Sequence, residues 1–339
     1  MVKVAVVILN WNGIAYLKHF LPSVVKYSNE SARIIVADNG SVDGSIDFLQ
    51  KYFPSVEVLQ LDQNYGFAGG YNRALANIQA EYYILLNSDV EVTDNWIDPV
   101  VKEMDADKHI AAAMPKIKAY ANKKYFEYAG AAGGFMDSYG YVFCRGRLFN
   151  DIEEDHGQYD DPVDVFWATG ACLFIRSEIF HRLGGFDDSF FAHMEEIDLC
   201  WRIKNDGFRI MCYPRVEVFH AGGGTLPYNN PRKVFLNFRN NWLTLYKNLP
   251  RKRLNKILFF RFLLDLLAAF QFLIYFKPSS SWAIIRAHVA FFKLKHRYRE
   301  LREQLKGHNK PVAGGIYPGS IVWKYWIQKK KTFNKLKFK

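Results

Sequence analysis

Tyr82-Tyr83-Ile84-Leu85-Leu86-Asn87-Ser88-Asp89 is the stretch whose reading decides the fold. Five apolar residues bounded by polar ones read as a short buried strand. The triplet that follows places one carboxylate just past the strand's end. Asn, Ser and Asp are ordinary turn residues, so the triplet gains meaning only from its surroundings. A carboxylate in this position suits a hard divalent cation that holds a phosphate. Mg²⁺ and Mn²⁺ favour oxygen ligands, and Mg²⁺ commonly binds through one or two carboxylates plus substrate phosphates.

Working outward, strands and helices alternate. Residues 4–9 form a β-branched run, as in a parallel strand covered on both faces. Residues 15–27 read as a helix in which Pro22 suggests a break or kink. A strand is expected at 33–37, a helix at 43–52, a third strand at 56–60 and a helix at 68–80. This alternation argues for a parallel α/β sheet with right-handed crossovers. In open sheets of this kind ligands sit at the carboxyl ends of the strands. Asn10, Asp38, Asn64 and Asp89 each follow an expected strand, so they can converge on one cleft. Residues 110–165 suggest irregular or antiparallel strands and a mobile loop. Residues 166–176 read as one strand, with Gly170 marking a bulge or close approach. A helix is expected at 195–206, and short strands at 210–213 and 217–220.

At 339 residues the chain holds one large domain, or one domain plus an appendage. Its net charge of +11 conceals a division. Residues 1–230 carry 20 Lys+Arg against 31 Asp+Glu, whereas residues 231–339 carry 25 against 3. We therefore divide the chain into a catalytic body over 1–230, with halves of about 1–110 and 111–230, and a helical basic extension over 231–339. Such asymmetry points to a basic segment that meets an anionic surface. Helices are expected there at 232–246, 252–276 and 282–302. The four cysteines, Cys144, Cys172, Cys200 and Cys212, lack zinc or C-x-x-C spacing and read as reduced core thiols of a cytosolic protein. The apolar N-terminus is short and β-branched, which suits a first strand better than a signal peptide.

A second constellation is Phe190-Phe191-Ala192-His193-Met194-Glu195-Glu196-Ile197-Asp198-Leu199-Cys200-Trp201-Arg202, beside the turn Gly184-Gly185-Phe186-Asp187. Adjacent acids raise one another's pKa. Glu196 or Glu195 is a candidate general base. Asp198 either serves an acceptor or pairs with Arg202 one turn on. His220, followed by Ala221-Gly222-Gly223-Gly224-Thr225, is a candidate second ligand to the ion at Asp89.

Taken together, these segments resemble glycosyltransferase family 2, within the GT-A fold, and most closely its rhamnosyltransferase-like branch. The likeness runs through Val4-Ala5-Val6-Val7-Ile8-Leu9-Asn10-Trp11-Asn12-Gly13, Val36-Ala37-Asp38-Asn39-Gly40-Ser41, Asn64-Tyr65-Gly66-Phe67-Ala68-Gly69-Gly70-Tyr71-Asn72 and Leu85-Leu86-Asn87-Ser88-Asp89-Val90, then the acidic helix and His220. It covers about residues 1–245. It implies a mostly parallel central sheet flanked by helices, and inverting transfer of a sugar from a nucleotide-diphosphate donor. On this likeness Asn10, Asn12, Asp38, Asn64, Gly66, Phe67, Asn72, Asn87, Ser88 and Asp89 serve the donor. Trp167, Gly170, Asp198 and Arg202 serve the acceptor, while Asp89 and His220 hold Mg²⁺ or Mn²⁺. Asn87 stands where the family's D-x-D motif has its first acid. Glu196 stands where the family has an Asp as base.

The expected partners are a dTDP- or UDP-sugar, a glycan or polyprenyl-diphosphate-glycan acceptor, and an anionic membrane surface at the cytoplasmic face. No nucleic-acid module is recognisable. Two other functions stand against this reading. A sugar-phosphate nucleotidyltransferase would need a Gly-rich basic loop after the first strand, where the chain has Asn10-Trp11-Asn12-Gly13. A catalytically silent binding or scaffolding protein would not need Asp89, both helix acids and His220.

Overall fold

Val2–Asn10 (β1), Arg33–Asp38 (β2), Glu57–Gln60 (β3) and Ala80–Asn87 (β4) build one half of a central sheet. Ile14–Ser28 (α1), Ser45–Tyr52 (α2) and Gly66–Leu75 (α3) connect them. This is a computed structural model, and it describes residues 2–28, 32–222, 230–304 and 314–338. Val4, Val6, Ile8, Ile35, Ile84 and Leu86 are all buried, as a strand covered on both faces requires. Pro22 does not end α1, which runs through it. Pro22 is exposed, so the carbonyl left without an N–H partner is available to water.

Val90–Val92 (β5), Asp98–Ala106 (α4) and Ile110–Ala119 (β6) follow. Gly134–Asp137 (β7), Val142–Cys144 (β8), Arg147–Leu148 (β9) and Asp151–Ile152 (β10) form a second, smaller sheet. Val163–Asp164 (β11), Cys172–Arg176 (β12) and Arg209–His220 (β13) return to the first, with Ser177–Arg182 (α5) and Glu195–Asn205 (α6) between. The main sheet has the order β11-β13-β6-β12-β4-β1-β2-β3, with β5 on β13. It is mixed. β1 to β4 are parallel, but β12 runs antiparallel to both β4 and β6.

Two expected elements differ. Residues 166–171 are not strand, because Trp167 bridges to Gly134 of the smaller sheet. The two short strands at 210–220 are one strand with a register shift between Tyr213 and Glu217.

The segment from Pro231 onward is not a detached tail. Pro231–Asn248 (α7) packs on α6, Arg251–Ile274 (α8) and Pro278–Leu294 (α9) pack on α7, and Arg299–Gln304 (α10) follows. The helix expected at 282–302 ends at Leu294 and continues as a 3-10 turn. Ile316–Tyr317 (β14) then pairs with β7, so the basic segment completes the smaller sheet.

Candidate active site

Strand register brings the donor-side residues together. Asn10 lies opposite Asp38, and Leu9 opposite Asn87. Asn10 donates to Asp38 Oδ1 at 2.9 Å, and the Ser41 N–H donates to Asp38 Oδ2 at 2.8 Å. Asp38 is thus buried with both oxygens engaged, and it braces the loops that carry Asn10 and Asn12. Asn12 Oδ1 accepts from the Val42 N–H at 2.8 Å. A side chain at Gly13 would meet Asn10 Oδ1 at 2.5 Å and approach Ser88 Oγ, so only glycine lets these residues close up. Asn64 Oδ1 accepts from the Gly66 N–H and from Asn39, which fixes the entry to α3. Asn72 clasps the 184–188 turn, donating to the Phe186 carbonyl at 2.8 Å and accepting from its N–H at 2.9 Å. Asn64 and Asn72 therefore shape the wall through their neighbours.

Asp89 sits one residue before β5, and β5 pairs with β13 so that His220 lies opposite Val90. His220 Nε2 is 3.1 Å from Asp89 Oδ1, and its Nδ1 is 3.5 Å from Glu127 Oε2. Asn87 Nδ2 is 3.4 Å from the same Nε2. Burial alone would push the imidazole down, but its hydrogen bonds to Asp89 and Glu127 prevail and raise it to about 10. Burial would raise Asp89, yet the His220 contact prevails and holds its carboxyl below the usual range.

With its proton held, His220 is the cationic partner of Asp89; a divalent cation at Asp89 would have to displace that proton before Nε2 could serve as a ligand. Two atoms at neighbouring corners of an octahedral Mg²⁺ shell lie about 3 Å apart. Among the described residues no third acidic, His or Cys side chain completes a protein-only site. The donor set therefore fits an ion that takes its other ligands from substrate phosphates and water.

The acids of α6 arrive on an unusual backbone. Phe191, His193 and Met194 have φ of +64°, +71° and +73°, a left-handed conformation that side chains rarely adopt. Strain of this kind persists where the surroundings dictate it. Here the Phe67 N–H donates to the Phe191 carbonyl at 2.7 Å, and buried Asn240 of α7 donates to the carbonyls of Phe190, Ala192 and His193. Gly66 is left-handed too, and a Cβ there would meet the Phe191 oxygen at 2.6 Å. The loop before α6 is thus clamped between α3 and α7. Glu195 and Glu196 each keep one buried oxygen without a hydrogen-bond partner. Burial pushes Glu196 up to about 7, and burial plus the Glu196 charge holds Glu195 well above the usual carboxylate range. Burial, with the Lys233 charge, lowers His193 to about 4.

Of the two roles open to Asp198, the structure shows the pairing with Arg202, and Arg202 and Trp167, expected at the acceptor, are engaged within the fold. Asp198 is wholly buried and is bonded by Arg202 at 3.0 Å, Lys247 at 2.8 Å and Asn248 at 2.9 Å. Arg202 also donates to the carbonyls of Leu183 and Gly185. The pair is buried and ties α6 to α7 and to the 183–185 turn. Trp167 is buried as well, its indole N–H donating to the Phe135 carbonyl at 3.1 Å. Gly170 lies against Phe67, whose ring a Cβ there would touch at 3.0 Å. Beyond Gly222 the glycine run lies outside the described residues.

Glu127 and Asn240 escaped sequence reasoning. Glu127 is a single acid in an aromatic stretch, and Asn240 is one of four asparagines in an amphipathic helix. Neither carries a local signal. Open hollows of about 480 Å³ beside Asp151 and 450 Å³ beside Pro22 are lined by none of the residues expected to serve donor, acceptor or metal.

A sheet of this order is the GT-A fold of nucleotide-diphospho-sugar transferases, and the family model that matches residues 5–184 makes the protein a glycosyltransferase. The chain belongs to glycosyltransferase family 2 and falls in the rhamnosyltransferase-like branch. It is 25% identical over 231 residues to the N-acetylglucosaminyl-diphospho-decaprenol L-rhamnosyltransferase of Mycobacterium tuberculosis, covering 63% of this chain and 75% of that one. Rhamnosyltransferase WbbL of Escherichia coli is 24% identical, with 74% and 94% covered. Among solved structures, S. aureus TarS 1-349 in complex with UDP-GlcNAc superposes with a TM-score of 0.57 at 15% identity, covering 89% of each chain. The mannosyltransferase PcManGT from Pyrobaculum calidifontis, in complex with GDP-Man and Mn²⁺, gives 0.53 at 15% identity, covering 97% and 88%. These likenesses show the fold.

Proposed function

We propose that the protein inverts the anomeric centre while moving a sugar, rhamnose on the branch likeness, from a dTDP- or UDP-linked donor to a lipid-linked glycan. The observation that carries this reading is the paired arrangement at the strand ends. Asp89 and His220 are poised for a cation on the donor side, while the clamped loop presents two buried acids, each with a free oxygen. A cation held by Asp89 and His220 would stabilise negative charge on the diphosphate. Asn10, Asn12 and Ser88 border the same strand ends and orient the donor. Glu196 takes the proton of the acceptor hydroxyl. The acceptor oxygen then bonds to the anomeric carbon as the bond to the diphosphate oxygen breaks on the opposite face. A carboxyl held near 7 suits this role, because it ionises at neutral pH and still binds a proton usefully.

A lipid-linked acceptor is supported by the mycobacterial relative, an N-acetylglucosaminyl-diphospho-decaprenol L-rhamnosyltransferase. The basic segment 231–339 supports a position at the cytoplasmic face of a membrane. The test is direct. Purified protein is incubated with dTDP-rhamnose or UDP-sugars, Mg²⁺ or Mn²⁺, and polyprenyl-diphosphate N-acetylglucosamine. Metal-dependent transfer with inversion is the expected result. Neither transfer nor donor hydrolysis with any of these sugars would overturn the reading.

A further inference from the structure

The helices α8 and α9 leave a wide apolar surface uncovered. By length and composition α8 is apolar enough to cross a membrane. Its inner stripe, Leu254, Ile257, Ala269 and their neighbours, packs on the rest of the protein, and Ala269 joins Val234, Ala283 and Ile284 in a separate small core. The outer face is exposed along its whole length, through Phe259, Leu263, Leu266, Leu267 and Phe270 to Phe276, which is 93% exposed. On α9, Trp282, Ile285, Val289 and Phe292 are exposed as well. An apolar patch of this extent marks an interaction surface.

Charge chooses the partner. From residue 257 to 276 the only charged side chains are Arg261 and Asp265, and both turn inward. Asp265 accepts from Trp242 at 2.7 Å and is 3.0 Å from His288 Nε2. Arg261 stacks on the Tyr141 ring at 3.7 Å. Hiding polar groups by mutual pairing is what a lipid-facing surface requires. Exposed cations lie at the margins instead: Arg251, Lys252 and Lys256 at one end, Arg286 and Lys293 along α9. An apolar face with a cationic rim matches the boundary between acyl chains and anionic headgroups.

We propose that the α8–α9 face is a bilayer-docking platform that sinks into one leaflet of an anionic membrane, with its rim cations among the headgroups. The return of α9 onto α7 excludes a simple span. Docking also bears on the cleft. Arg232, in the first turn of α7, stacks 4.9 Å from the Phe191 ring of the loop before α6, and Val234, two residues on, packs against α8 and α9. The platform thus joins the acceptor side of the site to the membrane. This deepens the membrane part of the function proposed above, but vesicle binding is read without any sugar, so either can fail alone.

The test is flotation of the full chain with phosphatidylcholine vesicles, with and without phosphatidylglycerol. Binding to the anionic vesicles, weakened by salt, is expected. The combined variant Leu267→Ser, Phe270→Ser, Phe276→Ser should bind roughly 10-fold or more weakly while keeping the wild-type melting curve. Brominated lipids should quench wild-type tryptophan fluorescence, and Trp282→Phe should remove part of that quenching. The proposal is overturned if the wild type fails to float, or if the triple variant floats equally well. It is also overturned if sedimentation shows a dimer that the triple variant makes monomeric, since a second copy then covers the face.

Discussion

Asn240 reaches across from α7 and donates its side-chain amide to the carbonyl of His193 at 2.7 Å, 47 residues earlier in the chain. The same amide serves the carbonyls of Phe190 and Ala192. A single buried side chain thus sets the left-handed path that delivers Glu195 and Glu196. Asn240→Ala leaves those carbonyls without this donor, at about 1–3 kcal/mol. We expect a lowered melting temperature, together with a fall in turnover of up to about a hundred-fold, the scale of an ångström misplacement. Unchanged kcat in a folded variant would argue against the clamp.

Glu196→Gln should lower kcat by about two to four decades, the usual scale for a general base, with donor affinity mostly kept. The pH profile offers a second readout. Glu196 is raised to about 7, so its carboxylate accumulates only above that point. Wild-type kcat/KM should climb through about 7 and level off, and the Gln variant should lose that limb. The sign for stability is opposite. An acid whose folded pKa is raised from 4.5 to about 7 costs the fold stability as pH rises between those values, so melting temperature should drop across that window.

Asp89→Asn should abolish stimulation by Mg²⁺ or Mn²⁺, and His220→Ala should raise the metal concentration needed for half-maximal rate. Chelation should silence the wild type, with recovery on adding metal back. Equal activity of Asp89→Asn with and without chelator, at the wild-type rate, would remove Asp89 from the ion site.

Asp198→Ala removes the shared partner of Arg202 and Lys247 from a fully buried site. Breaking one member of such a network typically costs about 3–5 kcal/mol. Chemical denaturation should report a loss of that order, and donor KM in whatever protein remains folded should stay near wild type. A selective rise in acceptor KM without lost stability would return Asp198 to the substrate.

Gly66→Ala faces two obstacles, a φ of +72° and the Phe191 oxygen 2.6 Å from the added carbon. The left-handed backbone alone costs roughly 1–2 kcal/mol. Because α3 and the loop before α6 meet here, turnover and donor KM should worsen together, which steady-state kinetics will resolve.

The alternation of β-branched runs and helices determined the first half of the sheet, because strands buried on both faces must be apolar throughout. Parallel register then made Asn10, Asp38 and Asn87 neighbours, and the position of Asp89 followed from the strand before it. The acidic start of α6 was equally plain. Tertiary structure alone decided which charged residues are braced. Of the two roles open to Asp198, packing selects the pairing with Arg202, with Lys247 and Asn248 closing over it. Glu127 reached His220, and Asn240 reached the loop before α6, across separations that no local pattern encodes. Local periodicity reports which face of an element is buried, while the partner of a buried polar group is fixed by how distant segments pack.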